Sequence, residues 1–181
     1  MEILTLKKDG ITNFAKERNK LLEKAKGDWV LFLDSDEEVV GDRWPVNSGF
    51  LGYRIRRDNY FLGSFVCSEW LVRLGKKNAG KWVRRVHEFW DIKQPSYLAS
   101  VIIKHDTAEN LHEYVTKINR YSTLHALANK EEGKKAGLLK IIFYSMAKFI
   151  FTLIKSRHIV FSIIQSLHSF LSWSKLYFLH S

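Results

Sequence analysis

A single cysteine, Cys67, is all the thiol this 181-residue chain carries. One thiol closes no internal disulfide, so neither a disulfide scaffold nor an oxidising compartment is implied. Met1 to Lys8 is a short alternating run without the apolar core of a secretory leader, and no such leader is expected. Internal repeats and low-complexity tracts are missing too, which excludes solenoids and compositional linkers. Acid is absent from the whole stretch Gly137 to Ser181, while Lys140, Lys148, Lys155, Arg157 and Lys175 lie inside it. A membrane-spanning helix needs about 20 mostly apolar residues, and the lysines interrupt the first apolar run before it reaches that length.

What is present argues for a folded domain. An apolar fraction of 46% and an aromatic fraction of 14% exclude disorder. The formal net charge of +10 calls for an anionic partner: nucleic acid, lipid headgroups or a phosphate-bearing substrate. Basic residues concentrated in an apolar, acid-free tail favour an anionic membrane surface among these.

"ITNFAKERNKLLEKAKG" has helical spacing at Phe14, Arg18, Leu21, Leu22 and Ala25, with Thr12 expected as N-cap and Gly27 as the stop. Trp29 to Leu33 is apolar without alternation, the pattern of a strand buried on both faces of a largely parallel sheet. Helix, turn and buried strand make half of an α/β unit. Between Phe50 and Lys104, "FLGYRIRR", "NYFLG", "EWLVRL", "KWVRRV" and "ASVIIKH" read as strands of a mixed or antiparallel extension. Turns at Gly63 and "GKKNAG" (75–80) separate them. Asp106 and Glu109 are an expected capping pair for a helix whose face is Leu111, Tyr114, Ile118, Tyr121 and Leu124. "NKEEGKKAG" (129–137) reads as a linker. Two apolar helices, 138–156 and 159–179, follow, and Ser145, Lys148, Thr152 and Lys155 mark one polar stripe on the first. The expected division is 1–128, 129–137 and 138–181, with the last part lying on a membrane surface or packing on the globular part.

Directly after the buried strand stand Asp34, Asp36, Glu37 and Glu38. Like charges this close repel unless a cation, a helix N-terminus or solvent relieves them. Ligands of open α/β sheets bind beyond the carboxyl ends of strands. Asp34 and Asp36 at that place suit a divalent metal that neutralises a diphosphate, or a solvated acidic turn capping the next helix. His105, closing a strand, is a metal ligand, a diphosphate contact or a polar turn residue. In "RRVHE" (84–88), Glu88 is a candidate general base beside His87, or the two are an exposed pair. Arg54, Arg56 and Arg57 stand close to aromatics and suit phosphate or sugar; Arg54 and Arg56 share a strand face, while Arg57 takes the other.

Four segments, "FAKERNKLLEKAKGDWVLFLDSDEEV", "YRIRRDNYFLG", "WLVRLGKKNAGKWVRRVHE" and "IIKHDTAENLHEYVTKINRYSTLHA", come in that order. Together they resemble the family 2 glycosyltransferases with an A-type nucleotide-diphospho-sugar fold, nearest the lipopolysaccharide core glucosyltransferase branch. The likeness runs from about Ile11 to Ala128 and continues more weakly through "SWSKLYF". It implies an inverting, Mg²⁺- or Mn²⁺-dependent sugar transfer from a nucleotide-diphospho-sugar to a glycan or glycolipid acceptor in cell-envelope synthesis. In that reading Asp36 is the principal metal ligand, with Asp34 beside it on donor ribose or metal, and His105 closes the site. Glu88 is the base, and Arg18 and Asn19 lie behind the donor pocket. Arg54, Arg56 and His87 remain acceptor or phosphate contacts. The family's donor-base strands would precede "EILTLKKDG", so a fragment, or a reduced form with a separate donor-binding half, is expected. The expected location is cytoplasmic, peripherally held on the inner face of the cytoplasmic membrane. The rival readings are a non-catalytic membrane-surface module keeping part of a transferase fold, and a nucleic-acid binder. The acidic cluster and the basic apolar tail count against nucleic acid.

Overall fold

Strand β2 (Trp29–Asp34) sits second in a six-stranded sheet of order β1-β2-β5-β4-β8-β3. The structure, a computed structural model, describes residues 1–7, 10–44, 49–108 and 110–179. Within them the chain is mixed α/β. β1 (Glu2–Leu6) pairs parallel with β2, from Glu2 opposite Val30 to Leu6 opposite Asp34. Helix α1 (Phe14–Lys24) connects the two, which makes a complete β-α-β unit. Its N-cap is Asn13, one residue beyond the expected Thr12, and the Asn13 side chain accepts the Lys16 N–H. The helix ends at Ala25, and Gly27 donates its N–H to Glu2 instead. An amide oxygen caps as well as a hydroxyl, which is why Thr12 and Asn13 cannot be ranked by residue type alone.

The unalternated run of β2 is buried on both faces, as its sequence predicts. Val30 and Phe32 join Ala15, Leu22, Trp82, Trp90 and Ile92 on the α1 side. Leu31 and Leu33 join Tyr53, Ile55, Leu74, Leu98, Val101 and Ile103 on the other. β4 (Gly52–Phe61) fuses two of the expected runs into one strand, and β5 (Ser64–Lys76) returns antiparallel to β2. Leu62 and Gly63 between them both have positive φ, at 47° and 80°, as a two-residue type I′ hairpin requires. β6 (Gly80–Val83) and β7 (Phe89–Ile92) form a separate hairpin. β8 (Ser96–Asp106) pairs antiparallel with β3 (Glu37–Val40).

β3 was not foreseen. Its acids read as a turn, yet Glu37 to Val40 lie along Ile102 to His105. Only Ser35 and Asp36 separate β2 from β3, although the sheet order puts these strands far apart. The sheet is therefore curled, and the carboxyl end of β2 is where its far strand returns.

The chain divides into two compact units, 1–59 with 68–106, and 60–67 with 107–181. The second holds the β4–β5 tip, α2 (Leu111–Glu131), α3 (Leu138–Ser156) and α4 (Ile159–Phe178). Of the expected capping pair, Glu109 lies outside the described residues and Asp106 ends β8; the cap of α2 is Asn110, which accepts the Glu113 N–H. Of the expected linker 129–137, residues 129–131 are the last turn of α2, and 132–137 fall between α2 and α3 inside this unit. Its core is Phe61, Val66, Tyr114, Ile118, Phe161 and Ile164, so α4 is an integral part of it. Lys175 Nζ donates to Asn119, Ser122 and Thr123 and ties α4 to α2. No helix among the described residues is long and apolar enough to cross a membrane.

Candidate functional site

The first unit carries a continuous chain of charged side chains at the carboxyl end of β2. Asp34 has the parity of Val30 and Phe32, so it points to the α1 side, where Arg18 of α1 meets it. Arg18 Nη2 donates to Asp34 Oδ1, and Arg18 Nε to Glu88 Oε1 at 3.0 Å. Asp34 Oδ2 accepts from Arg73 Nη2 of β5 at 3.3 Å, and the same nitrogen reaches Glu37 Oε1 at 2.9 Å. Glu37 also accepts from Arg57 Nη1 at 2.6 Å, and Arg57 reaches Glu69 at 2.6 Å. Glu69 then accepts from Asn59 Nδ2 at 3.1 Å. Asn59 Oδ1 meets His105 Nδ1 at 2.8 Å, and His105 Nε2 lies 3.4 Å from Asp36 Oδ2.

Acids and guanidiniums alternate along this path, which is what permits so much burial. Arg18 is 1% exposed and the Glu37 side chain is fully buried. Isolated, either charge would be excluded from such a place. Burial alone would lower the Arg18 pKa, but Asp34 and Glu88 outweigh it and the net shift is upward. Arg57 moves up in the same way, with Glu69 and Glu37 overcoming burial. Arg18 Nη1 and Arg73 Nη1 are buried without hydrogen-bond partners. Both guanidiniums lie against the Trp82 ring, at 4.6 and 6.0 Å from its centroid, so the indole face receives them.

The acidic cluster is thus relieved from within. Arginines meet Asp34 and Glu37, His105 stands by Asp36, and Glu38 is exposed to solvent. Each oxygen of Asp34, an expected metal ligand, faces a guanidinium. Among the described residues, no group of three or more His, Cys, Asp or Glu is placed to hold a metal ion. Asp36 and His105 do come together. Asn59 spends its amide nitrogen on Glu69, so its oxygen faces His105 and must accept the Nδ1 proton. A neutral imidazole then turns the bare lone pair of Nε2 towards a carboxylate, and Nε2 is buried without a hydrogen-bond donor. A lone pair facing an anion asks for a proton or a cation between them.

Glu88 is placed by an unusual loop. Residues 84–88 join β6 to β7, and Arg84 and His87 take positive φ values of 72° and 53°. Non-glycine residues held there store strain, which accumulates at functional loops. The loop is anchored by buried Val86 and by the Phe14 N–H donating to Arg85 O at 2.9 Å. His87 itself is exposed. Asn19 uses both ends of its amide on the Trp82 backbone, at 2.9 Å each, and so pins α1 to β6. Arg54 and Arg56 have the opposite parity from Arg57, and Arg56 pairs with Asp58 on its own strand at 3.1 Å.

Sequence reading missed Arg73, Asn59 and Glu69 as members of this charge chain, and took Arg57 for a phosphate or sugar contact and not for a partner of Glu37 and Glu69. The signal lay in strand parity: Arg57 and Asn59 continue the face of Tyr53 and Ile55, where a polar residue needs a buried partner. No family model and no curated protein sequence matches this chain.

Proposed function

We propose that the chain carries the catalytic part of a family 2 glycosyltransferase with an A-type nucleotide-diphospho-sugar fold. It would move a sugar, with inversion, from a nucleotide-diphosphate donor to a glycan or glycolipid hydroxyl. The observation that carries this reading is the convergence of Arg18, Asp34, Asp36, Glu88 and His105, from four separated segments, on one charge network at the end of β2. Residues drawn from distant segments meet for a common task more readily in a site than in a surface charge pattern.

Asp36 and His105 fit a divalent Mg²⁺ or Mn²⁺, because His105 Nε2 is an orphaned buried nitrogen directed at a carboxylate. Such an ion supplies charge neutralisation of the diphosphate leaving group. The remaining steps belong to the protein. Arg18 holds Glu88 through Oε1 and fixes the carboxylate's direction. Glu88 takes the proton of the acceptor hydroxyl as its oxygen bonds to the anomeric carbon. The bond from that carbon to the diphosphate breaks on the opposite face, and the nucleoside diphosphate leaves with its electron pair. Arg73 and Arg57 keep Asp34 and Glu37 neutralised, so the acids beside an anionic donor do not repel it.

The test is a panel of nucleotide-diphospho-sugars with Mn²⁺, read as release of nucleoside diphosphate. Turnover by the full chain that disappears in Asp36→Ala and in Glu88→Gln supports the reading. Release that both variants retain, or failure of every nucleotide sugar to bind, overturns it.

A further inference from the structure

Helices α3 and α4 bury several small hydroxyl residues beside Ile141, Phe161, Ile164 and Leu176 and leave much of their apolar surface outside. They form a hairpin through Arg157, which adopts the left-handed conformation, and Ser166 Oγ donates to Ser145 O at 2.8 Å across it. Tyr144 stacks on Trp173 at 4.7 Å. The buried positions include Ser145, Thr152, Ser162 and Ser172. Ser145, Ser162 and Ser172 each return their hydroxyl to a carbonyl one turn back. The polar stripe foreseen on the first helix thus lies partly against protein, where a water-soluble helix would place its leucines.

The outward face has the opposite character. Leu139 is 85% exposed, Ile154 74% and Phe143 68%, with Ile142, Met146, Ile150 and Phe151 beside them. Ile159, Ile163 and Phe170 of α4 are exposed too. Small hydroxyl residues between helices and large apolar residues outside are the arrangement of helices in contact with lipid. An apolar face this continuous marks an interaction surface.

Charge selects the occupant. No acid occurs from Gly137 to Ser181. Lys140, Lys148 and Lys155 are exposed, and their spacings of eight and seven residues keep them within about 80° of one another around the helix. They line one flank of the apolar face over about 22 Å of helix. Cations spread along the length, and not gathered at the ends, require an axis parallel to a charged plane. Lys175 does not belong to this set, because α2 holds it.

We propose that the outer face of the α3–α4 hairpin inserts in-plane into a bilayer bearing anionic headgroups. The apolar arc enters the acyl boundary, and Lys140, Lys148 and Lys155 remain at headgroup level. This inference does not rest on the transferase reading.

The experiment is flotation of the full chain with phosphatidylglycerol-containing and pure phosphatidylcholine vesicles, at low and high salt. We expect binding to the anionic vesicles at least tenfold above the neutral ones, with the difference shrinking in salt. Phe143→Glu with Phe151→Glu should abolish flotation, and Lys140→Gln with Lys155→Gln should weaken it several-fold for anionic vesicles alone. Ile150→Trp guards against misfolding: its emission should shift to the blue on anionic vesicles and be quenched by brominated acyl chains. Overturning results are flotation independent of both variants, or an unshifted Ile150→Trp signal. A stable dimer that shields Ile150 and ignores vesicles would assign the face to a second copy and equally end the proposal.

Discussion

Arg18 is the member of the charge chain whose removal is most informative. Arg18→Leu preserves apolar contact with Trp82 but strands Asp34 Oδ1 and Glu88 Oε1. Deleting one partner of a buried ion pair costs about 3–5 kcal/mol, because the other charge stays buried. Here Asp34 keeps Arg73 at 3.3 Å and the Glu88 side chain, 15% exposed, can draw in water. The low end, about 3 kcal/mol, is therefore expected. Asp34→Asn leaves Arg18 with Glu88 and Arg73 with Glu37, and about 2 kcal/mol is expected. The double variant removes both halves of the pair and should lose only about 3 kcal/mol, a coupling of about 2 kcal/mol. Guanidinium unfolding of the four proteins, followed by the fluorescence of the stacked Trp82 and Trp90, measures this directly. Additivity within about 0.5 kcal/mol would refute the claim that these charges depend on one another.

Other outcomes follow from single contacts. Asn19→Ala leaves the Trp82 N–H and carbonyl without their partners and should cost about 2 kcal/mol in unfolding free energy, with an unchanged denaturant slope. Burial raises the Tyr114 phenol to about 12, against the accepted hydrogen bond from Gln165. Its contribution is complete below the ordinary tyrosine range and fades as pH climbs towards that value; absorbance titration of the wild type against Tyr114→Phe isolates the step. Glu2 accepts the Lys26 and Gly27 N–H groups at 2.6 Å each, and these bonds hold its carboxylate below the usual value. Stability from Glu2 is present above that usual value and lost as pH falls through the lowered one, a dependence that Glu2→Gln should flatten in acid-unfolding profiles.

The sequence showed best where one physical rule acted alone. The run from Trp29 to Leu33 has no alternation because both faces are covered, and α3 and α4 appear close to their true bounds because nothing else competes with helical spacing there. β3 was hidden because its pairing partner, β8, is remote and "EEVV" carries charges that resemble a turn. The site was half visible. Asp36, Glu88 and His105 could be proposed from position, but Arg57 and Arg73, which answer Glu37 and Asp34, lie on strands whose register only the fold supplies. Local pattern identifies which acids gather; it does not identify which bases answer them.

The two-residue connection from β2 to β3 also has a kinetic meaning. β1 and β2 need only close around α1, a short loop, whereas β3 finds its ladder only once β8, far along the chain, is in place. Pairings between remote segments form slowly, because loop closure must be met before the contacts repay it. The strand that draws Asp36 to His105 is thus expected to dock after the β-α-β unit has formed, so that a nascent chain holds a folded scaffold before it holds this pair of side chains together.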